Sequence, residues 1–137
     1  MNIKQETDYA IRAVLILAKW GMENKLDAKT ISEKGNVPLR FLLKLLGKLS
    51  QANIIKSYRG VNGGYELSRE ARDITLKDVV EAIEGPIAIN RCIYDKEACN
   101  ANKIGYCAIH KAMCNIQNTL IRELEKVNFE DLKNEPW

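Results

Sequence analysis

Between Asp27 and Ser68 the chain sets two short helical patterns across a tight turn and follows them at once with a two-stranded hairpin, an order that few folds can accommodate. Asp27 is placed to cap a helix over Ala28 to Lys34, and Gly35 to end that helix in a left-handed turn. Pro38 suits the first turn of a second helix, which the pattern carries to about Ala52. Residues 54–59 alternate as a strand, Gly60-Val61-Asn62-Gly63-Gly64 forms a turn that needs positive φ, and residues 65–68 return as the partner strand. The expected fold is mainly α with a small β wing, a winged helix-turn-helix.

The second helix of the pair divides by face. Phe41, Leu42, Leu45, Leu46 and Leu49 recur at helical spacing and are expected in the core, while Arg40, Lys44 and Lys48 lie four apart as a basic stripe. No acidic residue occurs from Val37 to Lys56. Residues 1–74 hold 13 basic and 8 acidic side chains, a net of +5, whereas residues 75–137 hold 8 and 10, a net of −2. A polyanion is therefore expected on the amino-terminal half. Double-stranded DNA fits, with the stripe as the face of a recognition helix. Arg59 on the shoulder of the hairpin is placed for an adjacent minor groove or a phosphate, and Asn62 is at the tip.

Around this motif the periodicity assigns the remaining parts. A first helix from about Glu6 to Met22 is apolar at nearly every position from Tyr9 to Trp20, so more than one of its faces must be covered. Thr75-Leu76-Lys77-Asp78 is a capping box opening a helix that Gly85-Pro86 ends. Residues 1–85 form the winged domain and residues 86–106 lack sustained periodicity and are expected as a loop. From 107 to 127, Ile109, Met113, Ile116, Leu120, Leu124 and Val127 make a coiled-coil-like seam. A helix with one such seam outside a complete domain is expected to pair with a second copy, giving a homodimer. Residues 128–137 are expected as a tail. The apolar run in the first helix is broken by Arg12 and Lys19 and is too short for a bilayer, so no membrane association is expected. The amino terminus has no basic stretch leading to a cleavage site, so a cytoplasmic setting with reduced thiols is the expectation.

All four cysteines and the single histidine of this 137-residue chain fall in one segment, Cys92-x6-Cys99-x7-Cys107-x2-His110-x3-Cys114. Thiolates and an imidazole are soft donors suited to zinc or iron-sulfur clusters. Structural zinc sites space their pairs Cys-x2-4-Cys, and the only close pairs here are Cys107-x2-His110 and His110-x3-Cys114. A redox enzyme or electron carrier would leave the winged helix without a role, and no nucleophile–base pair or cofactor-binding glycine motif is legible. The expectation is a sensor, not an enzyme.

The chain resembles the IscR-type winged-helix transcription regulators, a family that also includes nitric-oxide-sensing and cysteine-metabolism repressors. The resemblance rests on Thr7-Asp8-Tyr9-Ala10, Ile31-Ser32-Glu33, Arg59-Gly60-x2-Gly63-Gly64-Tyr65, Val79-x3-Ile83-Glu84-Gly85 and Arg91-Cys92, and runs from about Met1 to Val127. It implies a dimer on a pseudo-palindromic operator, with an iron-sulfur cluster on Cys92, Cys99 and Cys107 whose state alters operator binding. It implies control of cluster-biogenesis genes. His110 stands where similar members place a fourth ligand, which favours 2Fe-2S over 4Fe-4S. Asp8 is the alternative ligand, implied by the nitric-oxide-sensing branch with a 4Fe-4S cluster, and Cys114 is a further alternative, a thiol switch or a buried cysteine. The gaps of six and seven residues between cysteines depart from the usual five and five, and the stretch Arg40-Phe41-Leu42-Leu43-Lys44 lacks the acid that IscR uses to discriminate between DNA sites. Family members without a cluster act through a partner protein.

Overall fold

A computed structural model describes residues 2–21, 24–90 and 107–137. Its first helix, α1 (Gln5–Trp20), is central, and Ala10, Ala13, Val14, Ile16 and Leu17 are fully buried. Helices α2 (Ala28–Gly35), α3 (Leu39–Gln51) and α4 (Leu76–Glu84) pack on it. Its apolar faces are thus covered by elements of the same chain, as expected for a helix apolar on more than one side.

Strands β1 (Ile55–Tyr58) and β2 (Gly64–Leu67) pair antiparallel, with Ile55 opposite Leu67 and Tyr58 opposite Gly64. Leu26 adds one rung beyond β2, donating from its N–H to the Tyr65 carbonyl at 3.1 Å and accepting from the Tyr65 N–H at 2.8 Å. A single helical turn over Ala71–Asp73 leads to α4, whose capping box forms as expected: Thr75 Oγ1 accepts from Asp78 N and Asp78 Oδ2 from Thr75 N.

Helix α5 (Ala108–Lys126) runs on from Cys107 at its N-cap and is tied to α4 by Lys77 Nζ, 3.1 Å from Glu125. Hydrogen bonding to Glu125, with the nearby Glu81 carboxylate, holds the Lys77 ammonium above its ordinary range. At the far end of α5 the Val127 carbonyl accepts from Leu76 N, and Phe129 N donates to Ile74 O.

Residues 128–137, expected as a tail, contain a further helix, α6 (Phe129–Lys133). Asn128 caps it through Asp131 N at 2.9 Å, and Phe129 is fully buried in the core. Lys19 Nζ then donates to the carbonyls of Lys133 and Glu135, and the Trp20 and Trp137 rings sit 6.4 Å apart. Burying an aromatic side chain contributes several kcal/mol on the usual scale of aromatic truncation, so α6 belongs energetically with the amino-terminal helices.

Two local expectations are corrected. Gly35 remains helical, and the left-handed residue is Asn36, with φ 51°. Gly35 is instead a close-approach site, because a Cβ there would stand 2.9 Å from Ile16 Cδ1. Phe41, expected in the core, is 44% exposed: Leu42, Leu45, Leu46 and Leu49 form the buried face of α3, and Phe41 falls beyond its edge.

Candidate functional site

The first candidate surface is built by α2, α3 and the hairpin. Asp27 Oδ1 accepts from Thr30 N at 2.7 Å, fixing the start of α2, and hydrogen bonding to Thr30 holds its carboxyl below the ordinary range. At the other end Ser32 Oγ donates to the Val37 carbonyl at 2.5 Å, and Val37 N donates to Ser32 O. Arg12 Nη1 donates to the Gly35 carbonyl at 3.2 Å from α1, which locks the turn between the two helices. With that turn fixed, α3 presents Arg40 and Lys44 exposed and Lys48 half-exposed. Leu39 and Leu43 are also exposed on it. The Arg40 guanidinium carbon lies 5.2 Å from the Phe41 ring centroid.

In the hairpin Arg59, Val61 and Asn62 are exposed, Val61 fully so. Gly60 (φ 100°) and Gly64 (φ 146°) supply the left-handed backbone that the tip requires. Tyr58 Oη donates to Glu66 Oε1 at 2.6 Å, which raises the phenol above its ordinary range, and Lys25 Nζ lies 3.9 Å from the Tyr58 ring centroid. The wing's own acid is thus engaged within the hairpin, while Arg59 on its shoulder stays exposed.

The second candidate site lies at the start of α5. Lys111 N donates to Cys107 O, closing the first turn, and Cys114 Sγ lies 3.4 Å from His110 Nε2. One further turn along, Gln117 is buried and its Oε1 accepts from Ile89 N at 3.1 Å. Cys92 and Cys99 lie outside the described residues. Among the described residues no three His, Cys, Asp or Glu side chains gather closely enough to hold a metal.

The donors present at the start of α5, two thiols and an imidazole, suit a soft metal centre in their chemistry. His110 Nε2 and Cys114 Sγ stand 3.4 Å apart in a hydrogen bond, a separation that would also let either one serve as a ligand beside Cys107. Helix N-termini also favour an anionic group, and Cys107 is the N-cap of α5.

Asp8 has a different set of partners. It is exposed, and its Oδ2 lies 2.7 Å from Arg12 Nη2 within α1. It therefore orients the arginine that caps α2. Thr7 beside it is fully buried and donates from Oγ1 to Glu84 Oε2 at 2.6 Å. Glu84 also accepts from Lys4 N at 3.4 Å and so serves the start of α1 from the end of α4. Sequence reading had no access to this pairing of residues 77 positions apart.

Taken together, the helix pair and hairpin define a winged-helix DNA-binding protein. The family model for Rrf2, described as an iron-dependent transcriptional regulator, matches residues 3–135, and the chain belongs to that family. It is a transcription regulator and not an enzyme. The chain is 26% identical over 134 residues to the HTH-type transcriptional regulator IscR of Photorhabdus laumondii, covering 98% of this chain and 80% of that one. Its fold is similar to the structure of CymR, the global cysteine regulator of B. subtilis, with TM-score 0.79, 27% identity and coverage of 97% and 96% of the two chains. It is also similar in fold to T. potens IscR, with TM-score 0.76, 23% identity and coverage of 96% and 85%. No described helix is long and apolar enough to cross a membrane.

Proposed function

We propose that this chain is an IscR-like regulator whose affinity for DNA depends on an iron-sulfur cluster, 2Fe-2S in preference to 4Fe-4S, held by Cys92, Cys99, Cys107 and His110. The observation that supports it is that Cys107 and His110 fall together at the start of α5, Cys107 as its N-cap, in a chain that the Rrf2 family model matches over residues 3–135. Cys92 follows Ile89 by three residues, a reach of at most about 11 Å along the chain.

The cluster would supply an electron-accepting centre whose potential responds to its ligands and to solvent. The chain's own residues do the rest. With a cluster bound, Cys107 and His110 would join residues 86–106 to α5, and α5 is hydrogen-bonded to the winged domain through Val127–Leu76. A change at the first turn of α5 thus reaches the DNA-binding face through helices already in contact. The coupling needed is modest, of order 1–3 kcal/mol.

Arg40, Lys44 and Lys48 on α3 and Arg59 and Asn62 in the wing are the DNA-contacting set. Two copies, paired along α5, would set two α3 helices in successive major grooves of a pseudo-palindromic operator. Ile109, Ile116 and Leu120 are 63%, 57% and 38% exposed along that seam, as a helix awaiting its partner would leave them. A cytoplasmic setting and control of cluster-biogenesis genes complete the reading.

A second reading, a thiol-based regulator of cysteine metabolism acting with a partner protein, draws support from the likeness to CymR. Iron and acid-labile sulfide in anaerobically purified protein separate the two. About two of each per chain with a visible spectrum support the cluster, while colourless protein holding one zinc, or none, rejects it. A count of about four of each would favour the 4Fe-4S form with Asp8 as ligand.

A further inference from the structure

The outward side of α3 mixes two kinds of side chain. Arg40 and Lys44 suit a polyanion, but Leu39, Phe41 and Leu43 are 42%, 44% and 49% exposed beside them. Phosphate attraction accounts for the cations and not for three large apolar residues on the same helix. Protein partners commonly cover such residues, but the interleaved cations and the absence of any acid from Val37 to Lys56 fit DNA better.

In the major groove the principal apolar feature of a base edge is the 5-methyl group of thymine. Leu39 and Leu43 lie four residues apart, one above the other on one side of α3. Both fall in its amino-terminal half, the part of a recognition helix that meets base edges. Residues 39–49 contain no Asn, Gln, Asp or Glu, so the side chains that pair with adenine or accept from cytosine are missing there. Arg40, beside the Phe41 ring, retains the fork that suits guanine.

We propose that α3 reads its operator chiefly through thymine methyl groups packed against Leu39 and Leu43. This rests on α3 being the recognition helix. The two leucines exclude water around each methyl and make an unmethylated pyrimidine at those positions weaker. Lys44 and Lys48 contribute attraction that is the same for every sequence.

The test uses full-length protein to select duplexes from a random library, followed by fluorescence anisotropy with the selected half-sites in thymine and deoxyuridine forms. Deoxyuridine should weaken binding by about fourfold per contacted methyl, with the salt dependence unchanged. Leu43→Ala should remove most of the preference for thymine while its far-UV circular dichroism stays that of the parent. Lys44→Ala should weaken both duplexes equally and reduce the salt slope by about one. Equal affinity for the two forms, or a preference surviving in both Leu39→Ala and Leu43→Ala, would overturn the proposal. Failure to select any sequence would instead overturn the recognition-helix reading on which it rests.

Discussion

Cys114 Sγ stands 3.4 Å from His110 Nε2 on the face of α5 that begins at Cys107. An imidazole nitrogen and a thiol sulfur meeting in the first turns of one helix address the same point in space. With His110 as ligand, Cys114 is the adjacent thiol. His110→Ala should therefore shift the visible spectrum and change the rate of air oxidation, whereas Cys114→Ser should leave both close to the parent. The opposite pattern would transfer the ligand role to Cys114. Asp8→Asn should leave the spectrum unchanged, since its carboxylate is engaged by Arg12.

Gly47 lies in the interior of α3, exposed, and beyond its own stretch of helix backbone no described atom lies within 4 Å of where its Cβ would be. Nothing among the described residues needs a glycine there, and glycine in a helix interior costs about 1 kcal/mol relative to alanine. The clearance is useful only to something that approaches α3 from outside. Gly47→Ala should raise the thermal midpoint by a few degrees and weaken operator binding in the same protein. A variant both more stable and equally tight would remove the argument for close approach.

Along α5, Ile109 and Ile116 are more than half exposed while Leu124 and Val127 are half-buried against the winged domain. Pairing with a second copy would cover the open part of the seam. Ile116→Lys should convert a dimer to a monomer in sedimentation velocity and lower operator affinity, because two half-sites are then bound separately. An unchanged sedimentation coefficient would place the dimer contact elsewhere.

Phe129 joins the carboxy-terminal segment to the core around α1. Phe129→Ala should destabilise the fold by about 3–5 kcal/mol, read as a lower urea midpoint. A loss below 1 kcal/mol would mean that α6 is an accessory to the domain.

How much of this was open to sequence reading depends on the range of the forces involved. The Asp27 cap, the Thr75–Asp78 capping box and the positive-φ glycines of the wing are set within a few residues, and all were legible. Gly35 owes its constraint to Ile16 on another helix and not to its own φ, which no local pattern reveals. Phe41 follows the hydrophobic period yet lies outside the core, because a period cannot fix the width of the buried face. The Thr7–Glu84 contact and the burial of Phe129 are tertiary and gave no periodic signal. A capping pattern was present all the same in Asn128-x-x-Asp131, with its acidic first turn. For the sensor, spacing alone grouped the donors, whereas the approach of Cys114 to His110 required the helix to be built.

The central claim is that cluster occupancy sets DNA affinity, and operator binding by anaerobic holo-protein and by the same preparation after iron chelation tests it most directly. The account predicts affinities that differ by about 5–150-fold, the range that 1–3 kcal/mol of coupling allows. It also predicts that Cys92→Ala protein, folded and dimeric, behaves as the chelated form whatever the iron supply. Identical affinities for the two forms, measured at one salt concentration, would contradict it.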